Sequence, residues 1–233
     1  EIREQLISFS GAFVQNAQTT DAEKRQAVAL AISEMQKQVA SYPLDARSRL
    51  QLAYAFRIAG DNAAALKEIQ EAARLSPGKE SIWIELGATA WDIGDVKLTQ
   101  EAFHTAYALG PQFTELAEYA AAGDIAAGDN KASDKILLNA YGSLSVDSNI
   151  LAVAYYRTKD WPRLIALWKL RAEKPDASVE TWFSLAAAYY TAGEKTNAIA
   201  TIKKAIALHP NDQNAASIGA AAIAQIQGKE VGQ

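Results

Sequence analysis

At 233 residues, with 49% hydrophobic and 21% charged side chains, the chain is too apolar for a disordered polymer and carries the charge content of an ordinary folded protein. Its formal charge of −4, from 23 Lys+Arg against 27 Asp+Glu, supplies no concentrated basic face for nucleic acid or an anionic bilayer. The absence of cysteine excludes disulfides, thiol nucleophiles and thiolate zinc sites; no stretch approaches the roughly 20 apolar residues of a spanning helix, so neither a nucleic-acid partner nor membrane insertion by this segment is expected.

Ile2 to Gln15 and Asp21 to Tyr42 read as two helices, with Thr20 or Asp21 as cap of the second and Ala27, Ala31 and Met35 on a packed face. They predict an atypical N-terminal helical hairpin over residues 1–45. Proline then recurs at Pro43, Pro77 and Pro111, 34 residues apart each time, which marks a tandem repeat of supersecondary units. In the first unit Leu52, Ala53 and Phe56 recur at helical spacing, Gly60-Asp61 breaks the pattern, and Ala65, Ile69 and Ala72 resume it. Gly60 suits the left-handed residue just past a helix end, Asp61 can cap the next helix, and Pro77 halts that helix. The second unit repeats the scheme with Trp83, Leu86, Gly87, Gly94, Phe103, Ala106 and Pro111.

The third unit, from near Thr114, is degenerate: Ala120-Ala121 hold the small positions, Gly123 reads as helix punctuation, Gly128-Asp129 form the turn, and Leu137 and Ala140 the second helix. From Pro111 to Pro175 is 64 residues, four short of two periods, so the loop around Ser143 to Asp147 must be tightened. The fourth unit has Leu151, Ala152 and Tyr155 on its first helix and Leu164 and Trp168 on its second, with Pro162 in a first turn. The fifth is the most regular, with Trp182, Leu185, Ala186, Tyr189, Gly193, Ala198, Ile202, Ala205 and Pro210. Residues 46–210 thus make five units. Asn211 to Gln227 reads as a nearly uncharged capping helix within residues 211–233, and Gly228 to Gln233 as a frayed tail.

These residues resemble the tetratricopeptide repeat family, whose helical pair places Trp, Leu-Gly, Tyr, Ala, Phe, Ala and Pro at fixed positions. Trp83, Leu86-Gly87, Phe103, Ala106 and Pro111 fall on that pattern, as do Trp182, Leu185, Tyr189, Ala198, Ala205 and Pro210. Ala90, Thr99 and Ser133 depart from it. The resemblance implies an all-α, right-handed α-solenoid of helical hairpins with terminal capping helices, whose first helices line a concave groove for a peptide or partner surface. It also rejects one binding mode. Where the family's co-chaperones clamp a terminal carboxylate with cations, this chain has Leu50, Tyr54, Glu85, Glu115 and Tyr119.

The chemistry of a catalyst is missing from the sequence. The two histidines, His104 and His209, have no neighbouring ligand set and read as surface residues; Glu68, Glu71, Glu115, Glu118 and Asp124 read as a solvated face. Neither a phosphate loop nor a nucleophile elbow is present. No enzyme activity, metal site or cofactor is therefore expected, and a non-catalytic protein-interaction scaffold is. Trp83, Phe103, Tyr155, Trp168, Trp182 and Tyr189 occupy core positions, while Tyr54, Arg57, Trp91, Asp92, Tyr156, Arg157, Phe183 and Tyr190 occupy first-helix positions that repeat geometry turns toward the groove. That Tyr, Trp and Arg content is the composition of an interface hot spot, so a protein or peptide partner is expected there.

A second, phrase-level resemblance lies in EIREQLISFSGAF and SYPLDARSRLQLAYAFRIAGD. These are similar to the soluble repeat tail of bacterial O-antigen ligase-like membrane proteins. It implies a segment cut from a longer membrane-associated chain, an extracytoplasmic location, and an accessory role beside a glycan enzyme in which Tyr54, Trp91, Tyr156 and Tyr190 contact saccharide.

Overall fold

The computed structural model describes residues 2–228, with side chains from Gln5 onward. The described chain holds thirteen α-helices and no strand. It divides into two compact units, Glu1–Ile136 and Leu137–Gln233, and each is taken by itself. The first contains α1 (Ile2–Gln15), α2 (Asp21–Ser41), α3 (Ala46–Ile58), α4 (Asn62–Leu75), α5 (Glu80–Asp92), α6 (Val96–Leu109), α7 (Thr114–Ala126) and the start of α8 (Asn130–Tyr141). The second contains the end of α8, then α9 (Asn149–Thr158), α10 (Trp161–Ala172), α11 (Val179–Thr191), α12 (Lys195–Leu208) and α13 (Gln213–Ile226). The proposed frayed tail lies, from residue 229 on, outside the described residues.

The punctuation expected from the sequence is what separates the helices. Thr20 closes a capping box with Glu23, satisfying two backbone donors at the start of α2. Asp45, Asp61, Asp95, Ser148, Asp160, Ser178 and Asp212 each accept a backbone N–H of the helix that follows. Gly60, Gly94, Gly128 and Gly193 turn between paired helices with positive φ, and Lys159 takes that left-handed conformation in the α9–α10 turn, where no glycine is available. Gly123 departs from expectation: it sits inside α7, buried, and ends nothing.

Small residues set how closely the hairpins close. In the first unit α3 packs on α4, α5 on α6, and each hairpin on the next through α4–α5 and α6–α7. Ala53, Ile69, Ala72, Ile82, Leu86 and Ala102 form one buried cluster, and Ile7, Ala31, Met35, Leu52 and Ala55 join α1 and α2 to α3 in another. In the second unit α10 packs on α11, α11 on α12, and α12 on α13, with Trp182, Leu185, Ala198, Ile202 and Ala205 buried. Trp83 is only half-buried, and its Nε1 donates to the Pro77 carbonyl at 2.7 Å, so the ring latches the preceding loop.

Candidate partner-binding surfaces

In the first unit the four predicted residues fall near one another but do different things. Tyr54, on α3, is 42% exposed, and its hydroxyl lies 3.9 Å from where a β-carbon on Gly11 of α1 would stand. Arg57, one turn on, crosses to α5 and donates to Glu85 at 2.6 Å and to Asp92 at 3.0 Å. Burial opposes the Arg57 charge, but the two carboxylates outweigh it and hold the guanidinium charged. Burial in turn pushes the Glu85 carboxyl up, against the pull of Arg57. Arg57 and Asp92 are thus spent on each other and on Glu85, tying the first hairpin to the second. Trp91 is half-buried and meets Phe103 edge-on at 6.1 Å, which makes it part of the α5–α6 packing as well as a surface ring.

A residue outside that group shares the Phe103 contact of Trp91. Tyr119, on α7, packs against Phe103 at 5.3 Å, and its hydroxyl pKa is raised first by burial and then by Glu118 and Glu85. Helices α5 and α7 carry Glu80, Glu85, Asp92, Glu115, Glu118 and Asp124 and no Lys, Arg or His. The acidic bias was legible in the sequence, whereas the pairing of Arg57 was not.

In the second unit Phe183 and Tyr190 come together. They line a cleft of about 230 Å³ between α11, α12 and α13, with Ala187, Ile202, Ile218 and Ile226 among the other walls. The walls are apolar, and Tyr190 and Ile218 are 46% and 50% exposed. Tyr156, 60% exposed, meets Trp161 edge-on at 5.9 Å, and Arg157 beside it is exposed. These two do not line the cleft.

Two expectations about polar residues are overturned. Asp124 does not belong to a solvated face: it is 1% exposed, and it accepts at Oδ1 from Gln100 Nε2 at 2.8 Å and from His104 Nε2 at 2.6 Å. His104 is accordingly no idle surface histidine. Its pKa is raised, first by the hydrogen bond to Asp124, with burial opposing. The signal available in the sequence was a lone carboxylate inside the small apolar run Ala120 to Ala127, where solvent has little reason to reach. Among the described residues no group of three or more His, Cys, Asp or Glu side chains could hold a metal, and no helix is long and apolar enough to cross a membrane.

Comparison with known proteins agrees with this architecture. The family model described as tetratricopeptide repeat matches residues 179–212, the fifth unit. No curated protein sequence matches the chain. Among solved structures, a tetratricopeptide repeat protein from Parabacteroides merdae is similar over 88% of this chain and 79% of its own, at 14% identity and TM-score 0.58. The APC/C Cut9–Hcn1 hetero-tetramer is similar over 86% of this chain, at 19% identity and TM-score 0.54, and the chain spans 39% of the length of that relative. A thermophilic repeat protein of Thermus thermophilus, TTC0263, is similar over 76% of this chain and 98% of its own, at 18% identity and TM-score 0.50. The O-antigen ligase-like resemblance finds no support in these matches. Helical hairpins punctuated by Gly-Asp at a 34-residue period make this an all-α fold of stacked helical pairs, and its residues 179–212 match the tetratricopeptide repeat model.

Proposed function

We propose that the chain is a non-catalytic interaction scaffold whose five hairpin units, residues 46–210, hold a peptide or partner-protein surface on first-helix side chains. The observation that carries this reading is the open apolar cleft lined by Phe183 and Tyr190. It has the size and lining to receive one or two apolar side chains of a partner, and Tyr190 offers a ring and a hydroxyl at its rim. Within the second unit Tyr156 adds exposed ring area beside the exposed Arg157; the first unit has its own exposed ring at Tyr54, next to the framework of Trp91, Arg57 and Asp92. The test is a peptide array probed with the full chain, followed by Tyr190→Ala. A cognate peptide should lose about 2 kcal/mol or more of binding, as a hot spot does, with melting unchanged. Melting as low as that of Trp182→Ala would make Tyr190 a scaffold residue and remove the reading.

A second reading places the array beside a membrane-bound O-antigen ligase-like glycan enzyme on the extracytoplasmic side. The exposed rings of Tyr54, Tyr156 and Tyr190 favour it, since aromatic faces also suit sugar rings. A glycan array run alongside the peptide array separates the two.

A further inference from the structure

We infer that the joint between the second and third hairpins, where α6 meets α7, is a pH-sensitive latch built on His104 and the buried Asp124. The inference is independent of the partner-binding reading. It starts from an imbalance at one carboxylate. Both donors within reach, Gln100 Nε2 and His104 Nε2, go to Oδ1, while Oδ2 is shielded from solvent and has no hydrogen-bond partner. A carboxylate that is 1% exposed with half its acceptor capacity unmet is costly unless a positive charge stands beside it. The charge available is the imidazolium of His104, whose side chain is 42% exposed and so exchanges protons freely with water.

The surroundings leave that titration to the pair. On α6, Lys97 and Glu101 face each other at 3.6 Å and are exposed. On α5, Glu80 lies beside Lys79, and Glu85 and Asp92 are held by Arg57. Helix α7 adds Glu115 and Glu118, and α8 adds Lys131, Asp134 and Lys135. Among the described residues Asp124 is the charged group that acts on the imidazole, through its hydrogen bond first and its charge second. Nor has the joint room to absorb a change. A β-carbon on Gly123 would stand 3.1 Å from the Gln100 backbone, so beside Asp124 the two helix backbones approach closely. Loss of the His104 proton leaves a buried anion with neutral donors at this close helix contact, and the contact loosens.

The sign follows from linkage. The folded-state pKa of His104 is raised above its ordinary value of 6.5, so its contribution is complete below that value and is lost as pH rises through the folded pKa. The test uses the full chain between pH 6 and pH 8.5, with amide hydrogen exchange of α6 and α7 and the ring-proton titration of His104, assigned against His209→Gln. Exchange at the α6–α7 contact should quicken several-fold with the His104 titration, after correction for the intrinsic rate, and His104→Gln should flatten that dependence. His104→Gln is the safe variant because the ring is half-exposed; Asp124→Asn should in addition bring the His104 pKa down. An α6–α7 exchange profile independent of pH, one unchanged in His104→Gln, or a His104 titration at or below 6.5 would each overturn the latch.

Discussion

Gly87 of α5 lies flat against the ring of Phe103 on α6, so close that a β-carbon built there would stand 2.3 Å from the ring. Phe103 is fully buried, so it has no open side to swing toward. Glycine is therefore needed for approach, not for an unusual backbone angle, since Gly87 is helical. Gly87→Leu should destabilise the chain by on the order of 1–3 kcal/mol, the usual cost of overpacking. Ala106→Leu should do the same at another small position of this hairpin, where the side chain is also fully buried. Thermal melts of both variants check the register, and wild-type melting of either would break it.

The tightened loop between α8 and α9 has its own fastening. Asp147 accepts from Arg171 Nε at 2.6 Å and from Lys174 Nζ at 2.5 Å, and Arg171 also donates to Asn149 at 2.8 Å. These bonds hold the loop to the end of α10 within the second unit. The Asp147 carboxyl is held below its ordinary 3.8, first by the Lys174 hydrogen bond, with burial opposing and Arg171 assisting. A lowered carboxylate pKa gives stability that is present above the ordinary value and lost as pH falls through the lowered one. Asp147→Asn should thus cost under about 1 kcal/mol at pH 7, as partly exposed pairs do. The cost should shrink as pH falls below 3.8 through the lowered value, and urea midpoints at pH 7 and in acid measure it.

The periodic part of the fold was open to sequence reading because its determinants are local. Thr20, Asp61, Asp95 and Gly193 act within a turn of where they stand, and the helices they bound run as expected. Gly123 and Asp124 misled for one shared reason. Their roles come from α6, some twenty residues earlier, where Gln100 and His104 approach them across an interface that no period announces. Arg57 shows the same limit: its partners Glu85 and Asp92 lie on the next hairpin. Position in the repeat says that Arg57 lies on a first helix. It cannot say whether the charge is free or already matched.

That distinction is measurable at Arg57. Its side chain and those of Glu85 and Asp92 are 24%, 16% and 27% exposed, so the trio is largely withdrawn from water, and Arg57 Nε is buried without a partner. A guanidinium so placed costs more to remove than a surface charge, because two half-buried carboxylates are left facing each other. Arg57→Met should destabilise by about 1.5–3 kcal/mol at pH 7, the range for hydrogen bonds to charged groups. Burial already pushes the Glu85 carboxyl up, and loss of the arginine removes the pull that opposes it. A raised carboxylate pKa favours the folded state below the ordinary value and penalises it as pH rises through the raised one. The damage done by Arg57→Met should therefore shrink between pH 7 and pH 4, and adding Glu85→Gln and Asp92→Asn should recover most of it at pH 7. Wild-type stability in Arg57→Met with weakened capture of an array-selected peptide would instead make Arg57 an anchor for the partner.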